Sequence, residues 1–194
     1  YPELPPVRMH LHKMIPMGAG LGGGSADGAF ALRLLNEKYK LNIPTQDLIG
    51  YAAKLGSDCP FFIINQACYA TGRGEILNSI QLNLSKYYFV LVNPGIHVNT
   101  KWAFEQITPA PSNKNLASIL SEPIEEWRDL LVNDFEAPIT KAYPAIGNIK
   151  NQLYQLGASY AAMSGSGSTV FGIFKMKPSD KIKSAFDCSV FITS

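Results

Sequence analysis

The sequence predicts an α+β chain of two domains, residues 1–84 and 85–194. Three observations carry this. Six glycines (Gly18, Gly20, Gly22, Gly23, Gly24 and Gly28) fall within 11 residues, between a segment of alternating polarity and an amphipathic helical pattern. The second half reads strand, helices, hairpin, helix, strand, which is compatible with a ferredoxin-like α+β sandwich. Hydrophobic residues make up 46% of the 194 residues and charged residues 16%, a composition that builds a core and argues against disorder.

The elements follow in order. Tyr1 to Pro6 carries three prolines and reads as an extended lead-in. Val7 to Ile15 alternates with period two and predicts a half-buried strand, ended by Pro16. Ser25 to Tyr39 predicts a helix with Ala29, Phe30, Leu34 and Leu35 in an apolar stripe and Ser25 as N-cap. Thr45 to Leu55 predicts a second helix, capped by Thr45 and stopped by Gly56. Ser57-Asp58-Cys59-Pro60 precedes an apolar run, Phe61 to Ile64. Ala67 to Thr71 and Glu75 to Ile80 predict two strands around Gly72-Arg73-Gly74.

Lys86 to Val92 predicts the strand that opens the second domain, and Thr100 to Ile107 a short helix bearing Trp102 and Phe104. Pro109 to Asn115 reads as a polar loop. Two or three helices are expected between Leu116 and Leu156, interrupted at Pro123, Pro138 and Pro144. Gly157 to Phe174 reads as a hairpin turning at Ser164 to Ser168. A helix at Ser179 to Phe186 and a strand at Ser189 to Thr193 close the chain.

Several function classes are excluded early. The net charge of +2 leaves no nucleic-acid footprint. No apolar run approaches the roughly 20 residues of a membrane span, and no secretory signal pattern is visible. The odd set of Cys59, Cys68 and Cys188 has no CxxC spacing, so reduced thiols in a cytoplasmic protein are expected, and no disulfide framework or metal knuckle. His10 and His12 share a strand face without a third metal ligand nearby, and read as surface or crevice residues.

The chemistry starts at Pro16 to Ser25, PMGAGLGGGS. Glycines let backbone approach a ligand closely, and the helix start that follows offers free N–H groups and a favourable dipole to an anion. Strand, glycine loop and helix make a phosphate cradle. Gly18, Gly20 and Gly23 satisfy G-x-G-x-x-G, but the acid about 20 residues on, Glu37, sits within a helical pattern rather than at a strand end. The G-x-x-x-x-G-K-[ST] template fails because Gly24 replaces its lysine.

The remaining template, Pro-x-x-x-Gly-Leu-Gly-x-x-Ser at a helix start, is met by Pro16, Gly20, Leu21, Gly22 and Ser25. This resembles the phosphate-binding motif of the GHMP kinases. The triple glycine in GLGGGSA, Gly56-Ser57-Asp58-Cys59-Pro60-Phe61-Phe62, Ala70-Thr71-Gly72-Arg73-Gly74-Glu75 and Ser164-Gly165-Ser166-Gly167-Ser168 narrow the resemblance. They point to the branch that phosphorylates a cytidine-diphosphate methylerythritol in non-mevalonate isoprenoid synthesis.

The resemblance implies a GHMP kinase fold, with a partial ribosomal-protein-S5-domain-2-like first domain and a ferredoxin-like second. It implies ATP, with Mg2+, as phosphate donor and the 2-hydroxyl of a small-molecule substrate as acceptor. Oligomeric state stays open, and neither nucleic acid nor membrane is expected as a partner. Pro16, Met17, Gly18, Ala19, Gly20, Leu21, Gly22, Gly23, Gly24, Ser25 and Ala26 match the segment that wraps the ATP phosphates. Ser25 is either a plain N-cap or also a magnesium contact.

Asp58 matches the catalytic aspartate that orients the attacking hydroxyl; local sequence alone favours a helix cap. Gly165, Ser166 and Gly167 match a glycine turn brought beside the ATP loop, and read alone as a hairpin turn. Thr100 and Phe104 match the substrate side, with Phe104 either against cytosine or simply buried in its helix. Arg73 is either a group for the substrate's diphosphate or a solvated surface residue, and Lys13 either lies beside the nucleotide or is solvated in the same way.

One departure stands out. The resemblance implies an opening strand bearing a catalytic lysine in a Pro-x-Ala-Lys-like context, and the sequence shows none. The expectation is a chain that represents the first domain only by its second part and is inactive by itself. The weighed alternatives are another GHMP kinase, acting on homoserine or mevalonate, and a non-catalytic ferredoxin-like binding module such as an RNA binder.

Overall fold

The computed structural model describes Tyr1 and residues 4–108 and 115–193. The expected loop at Pro109 to Asn115 therefore lies outside the described residues except for Asn115. The chain forms two compact units. One comprises Tyr1–Met17 with Gly22–Gln81, the other Gly18–Leu21 with Leu82–Ser194.

The first unit holds helices α1 (Gly23–Lys38), α2 (Thr45–Leu55) and α3 (Cys59–Ile64), then strands β1 (Cys68–Thr71) and β2 (Ile76–Ser79). Ala29, Leu48, Ala52, Cys59 and Ile63 form its small core, to which each of the three helices contributes. Cys59 is thus a buried apolar group, as its sequence context suggests. The antiparallel hairpin β1–β2 pairs Cys68 with Ser79 and Thr71 with Ile76.

Three expectations are corrected here. The strand at Val7 to Ile15 does not form. Alternation alone cannot make a strand; a ladder partner is needed, and among the described residues the only sheet of this unit is β1–β2. Instead Val7, Met9 and Leu11 line one side of a groove of about 790 Å³, with Phe30, Leu34 and Leu35 of α1 opposite. Ser25 is not an N-cap. Helix α1 begins two residues earlier, with Gly22 as cap at φ 64 and Ala26 N–H donating to Gly22 O at 2.9 Å. Thr45 is the first residue of α2 rather than its cap, because Pro44 takes that place with extended backbone. The apolar run after Pro60 closes into α3, with proline in the first turn where its missing N–H costs nothing.

The second unit is built on a four-stranded antiparallel sheet in the order β4-β5-β3-β6, from β3 (Tyr88–Asn93), β4 (Tyr160–Met163), β5 (Val170–Phe174) and β6 (Ser189–Thr193). Between β3 and β4 run α4 (Thr100–Glu105), α5 (Leu116–Ser121), α6 (Trp127–Leu130), α7 (Glu136–Ala142) and α8 (Pro144–Gln155), with a 3₁₀ turn at Ile124–Glu126. Val90, Val92, Ala161, Met163, Val170 and Phe174 meet Ile146, Ile149 and Leu153 of α8 in one core. Tyr160, Ala162 and Ile173 meet Ile119, Ile124 and Trp127 in another. Strand β4 is buried at all four positions because both faces of the sheet are covered.

The helical stretch between β3 and β4 is more divided than expected. The prolines start helices rather than merely interrupt them: Pro144 opens α8, Pro138 sits in the first turn of α7, and Pro123 caps the 3₁₀ turn. The helix expected at Ser179 to Phe186 is a 3₁₀ helix at Asp180–Ala185, short and with only Ile182 buried.

Candidate active site

In the first unit, the start of α1 is an open cradle. Its first intrahelical bond is that of Ala26, so the N–H groups of Gly23, Gly24 and Ser25 have no acceptor within the helix. No acidic residue lies in the first turn and no side chain caps it. A Cβ at Gly24 would meet nothing within 4 Å, whereas one at Gly22 would stand 3.0 Å from the ring of Phe62. The Lys13 ammonium lies beside the helix start, 3.3 Å from where a Gly23 Cβ would be, and forms an ion pair with Asp27. Asp27 was not singled out by sequence; a carboxylate one turn into a helix carries no local signal of a partner 14 residues upstream.

Also in the first unit, Asp58 stands at the N-terminus of α3 but its carboxylate caps nothing. It is exposed, accepts from Ser57 Oγ at 3.3 Å, and lies 3.3 Å from the Cβ position of Gly74. The purely structural reading of Asp58 therefore loses its main support. Gly74 follows Arg73 in the β1–β2 turn, so the structure brings this aspartate and that turn together. Arg73 projects into solvent, its side chain 88% exposed and its Nε 3.9 Å from Glu75 Oε1. Backbone N–H groups of the turn, its own and that of Arg73, hold the Glu75 carboxyl below the usual carboxylate range.

The second unit contains the other half of the glycine segment. Gly20 O accepts from Ser164 Oγ at 2.7 Å, and Ala19 O accepts from Thr169 N–H at 3.1 Å. A Cβ on Gly20 would collide with the carbonyl oxygens of Ser164 and Gly167, the latter at 2.7 Å. The segment at Gly18 to Gly20 and the turn at Gly165, Ser166 and Gly167 are thus brought together. Ala19 is buried and Gly18 lies against His97. Pro16 and Met17, just before, are exposed.

Thr100 opens α4 behind its cap Asn99, with its hydroxyl 3.5 Å from Ser166 Oγ. Phe104 is 59% exposed, which answers the alternative of a buried helix residue, and its ring meets Phe135 edge-on at 4.9 Å. Among the described residues no group of three or more His, Cys, Asp or Glu could hold a metal ion, and no helix is long and apolar enough to cross a membrane.

Comparison with known proteins decides what this arrangement belongs to. Residues 1–66 match the family described as GHMP kinases N terminal domain, and residues 115–193 that described as GHMP kinases C terminal. A 4-diphosphocytidyl-2-C-methyl-D-erythritol kinase of Parabacteroides distasonis is 47% identical over 187 residues, covering 96% of this chain and 69% of that protein. The chain belongs to the GHMP kinase family, in that branch. The kinase of the same name from Bacteroides fragilis is 51% identical over 180 residues, or 93% of this chain. The chain spans 65% of the length of that relative. A crystal structure of 4-(cytidine 5'-diphospho)-2C-methyl-D-erythritol kinase superposes with a TM-score of 0.79 at 28% identity, covering 93% of this GHMP kinase chain and 67% of the other.

Proposed function

We propose that this chain carries the phosphate-cradling and acceptor-orienting parts of an ATP-dependent kinase. Its acceptor is the 2-hydroxyl of 4-diphosphocytidyl-2-C-methyl-D-erythritol, in non-mevalonate isoprenoid synthesis in the cytoplasm. The two units are read as the later part of the GHMP ATP-binding domain and the GHMP C-terminal domain. The observation that carries the reading is the α1 start: a glycine-built helix N-terminus with free N–H groups, open space at Gly24, and no competing carboxylate in its first turn.

In this reading the residues fit a nucleotide triphosphate. The N–H groups of Gly23, Gly24 and Ser25 receive phosphate oxygens, and the Ser25 hydroxyl, not spent on capping, offers a hard ligand to the Mg2+ that accompanies ATP. Asp58, also free of capping duty, accepts the proton or hydrogen bond of the acceptor hydroxyl as it attacks the γ-phosphorus. Arg73 reaches for the substrate diphosphate, and Phe104 offers its exposed ring to cytosine, worth roughly 1–3 kcal/mol for a stacked base. The Lys13–Asp27 pair places one cation beside the cradle.

The test is Asp58→Asn. Turnover is read in a chimera that carries the opening segment of the Bacteroides fragilis relative ahead of Tyr1, and the chain alone is expected to turn over more slowly than the chimera. Asp58→Asn is expected to lower the chimera's turnover roughly 100-fold or more with KM for ATP unchanged. Near-normal turnover removes Asp58 from this role, and a chimera that prefers homoserine or mevalonate overturns the substrate.

A further inference from the structure

The segment Asn133-Asp134-Phe135-Glu136, at the entry to α7, makes more contacts to the site than its length suggests. The Asn133 amide is half-buried and almost fully used. Its Nδ2 donates to Met163 O and to Gly165 O, each at 2.8 Å, and its Oδ1 accepts from Phe135 N–H at 3.0 Å. Glu136 Oε1 accepts from Met163 N–H at 2.6 Å while its other oxygen pairs with Lys150. The peptide groups of Met163 are therefore gripped on both sides, at the foot of the turn whose Ser164 holds Gly20. Two residues from Asn133, the Phe135 ring supports Phe104. All of these residues lie in the second unit.

We propose that Asn133 is a positioning residue that couples the glycine turn at 164–168 to the aromatic face at Phe104. One side-chain amide fixes both: its donors hold the turn, and its acceptor holds the backbone that presents Phe135. It touches neither reacting atom. Its consequences for ligands rest on the kinase reading above: a disturbed Asn133 weakens the triphosphate side and the cytidine side together.

Two variants separate the two halves of the amide. Asn133→Ala removes donors and acceptor. Asn133→Asp keeps the acceptor for Phe135 N–H but sets a carboxylate oxygen against two carbonyl oxygens. In the 194-residue chain, amide hydrogen exchange is followed at residues 163–169 and in α4. Binding of ATP and of cytidine diphosphate is measured alongside in the chimera that carries the Bacteroides fragilis opening segment. Asn133→Ala is expected to speed exchange in both segments and weaken both ligands, each by about tenfold, the size of one or two lost hydrogen bonds. Asn133→Asp is expected to disturb residues 163–169 and ATP while leaving α4 and cytidine diphosphate unmoved.

The coupling is overturned if Asn133→Ala leaves α4 at its parent exchange rates, or if the two variants give one pattern. Should Asn133→Ala fail to fold, Asn133→Asp and Phe135→Leu decide: the first must move only 163–169 and the second only α4, and any other distribution overturns the proposal. If the chimera binds neither ligand, the kinase reading fails, while exchange in the 194-residue chain still judges the coupling.

Discussion

The two halves of the glycine segment look alike in sequence and do different work. Gly18–Leu21 is packed inside the second unit, where Gly20 has the carbonyls of Ser164 and Gly167 on it at φ +77. Gly22–Ser25 opens a helix in the first unit, where a Cβ at Gly24 would touch nothing. Glycine in the first half answers a demand of packing; at Gly24 packing makes no such demand. A count of glycines mixes the two, and only the surroundings sort them.

The sharpest way to break this contrast is Gly20→Ala. Its Cβ would meet two backbone oxygens, neither of which can swing away as a flexible side chain would, and its φ is one that side chains resist. A loss of roughly 3 kcal/mol in urea unfolding is expected from overpacking and backbone strain combined. A cost below about 0.5 kcal/mol, the level of an ordinary surface substitution, would mean the packed half is not packed.

Next in size is Glu136→Gln, which tests the ion pair beside the foot of the turn that receives Gly20. The new side-chain amide can still accept from Met163 N–H through its oxygen, but Lys150 loses its carboxylate partner in a half-buried place. Breaking a buried pair from one side costs about 3–5 kcal/mol, and the partial exposure of Lys150 reduces this to about 2 kcal/mol. Equal stability of the variant and the parent at neutral pH would mean that the Lys150–Glu136 pair adds nothing to the hold of α7 on α8. Smaller again is Ser164→Ala, which leaves Gly20 O without its 2.7 Å donor. A loss of about 1 kcal/mol is expected, together with faster exchange at the neighbouring amides.

How far the sequence reached follows the same division. Helix α2 and strand β6 form over the expected residues, and both hairpins form, because short-range pattern and flanking turn residues settle them. The strand at Val7 to Ile15 fails because pairing is a property of the neighbour, not of the segment. The Ser25 cap fails because Gly22 adopts the left-handed conformation and starts the helix early. Within the site, the glycine loop and Asp58 were legible as motifs. Asn133, Phe135 and Glu136 were not, since their partners lie about 30 residues away along the chain and no local spacing announces them.

The smallest effect on stability is the most informative about function. Gly24→Ala places a methyl in open space in the first turn of α1, at a position with ordinary helical backbone. Alanine is the better helix former, so the variant should be more stable than the parent by about 0.5–1 kcal/mol. The same methyl stands where a phosphate would approach the N–H groups, so ATP affinity should fall. Stability gained with affinity lost is the signature of a glycine kept for a ligand. If thermal unfolding and ATP titration instead show both unchanged, the open half of the segment is only the start of a helix. Gly20 and Gly24 would then differ in packing alone.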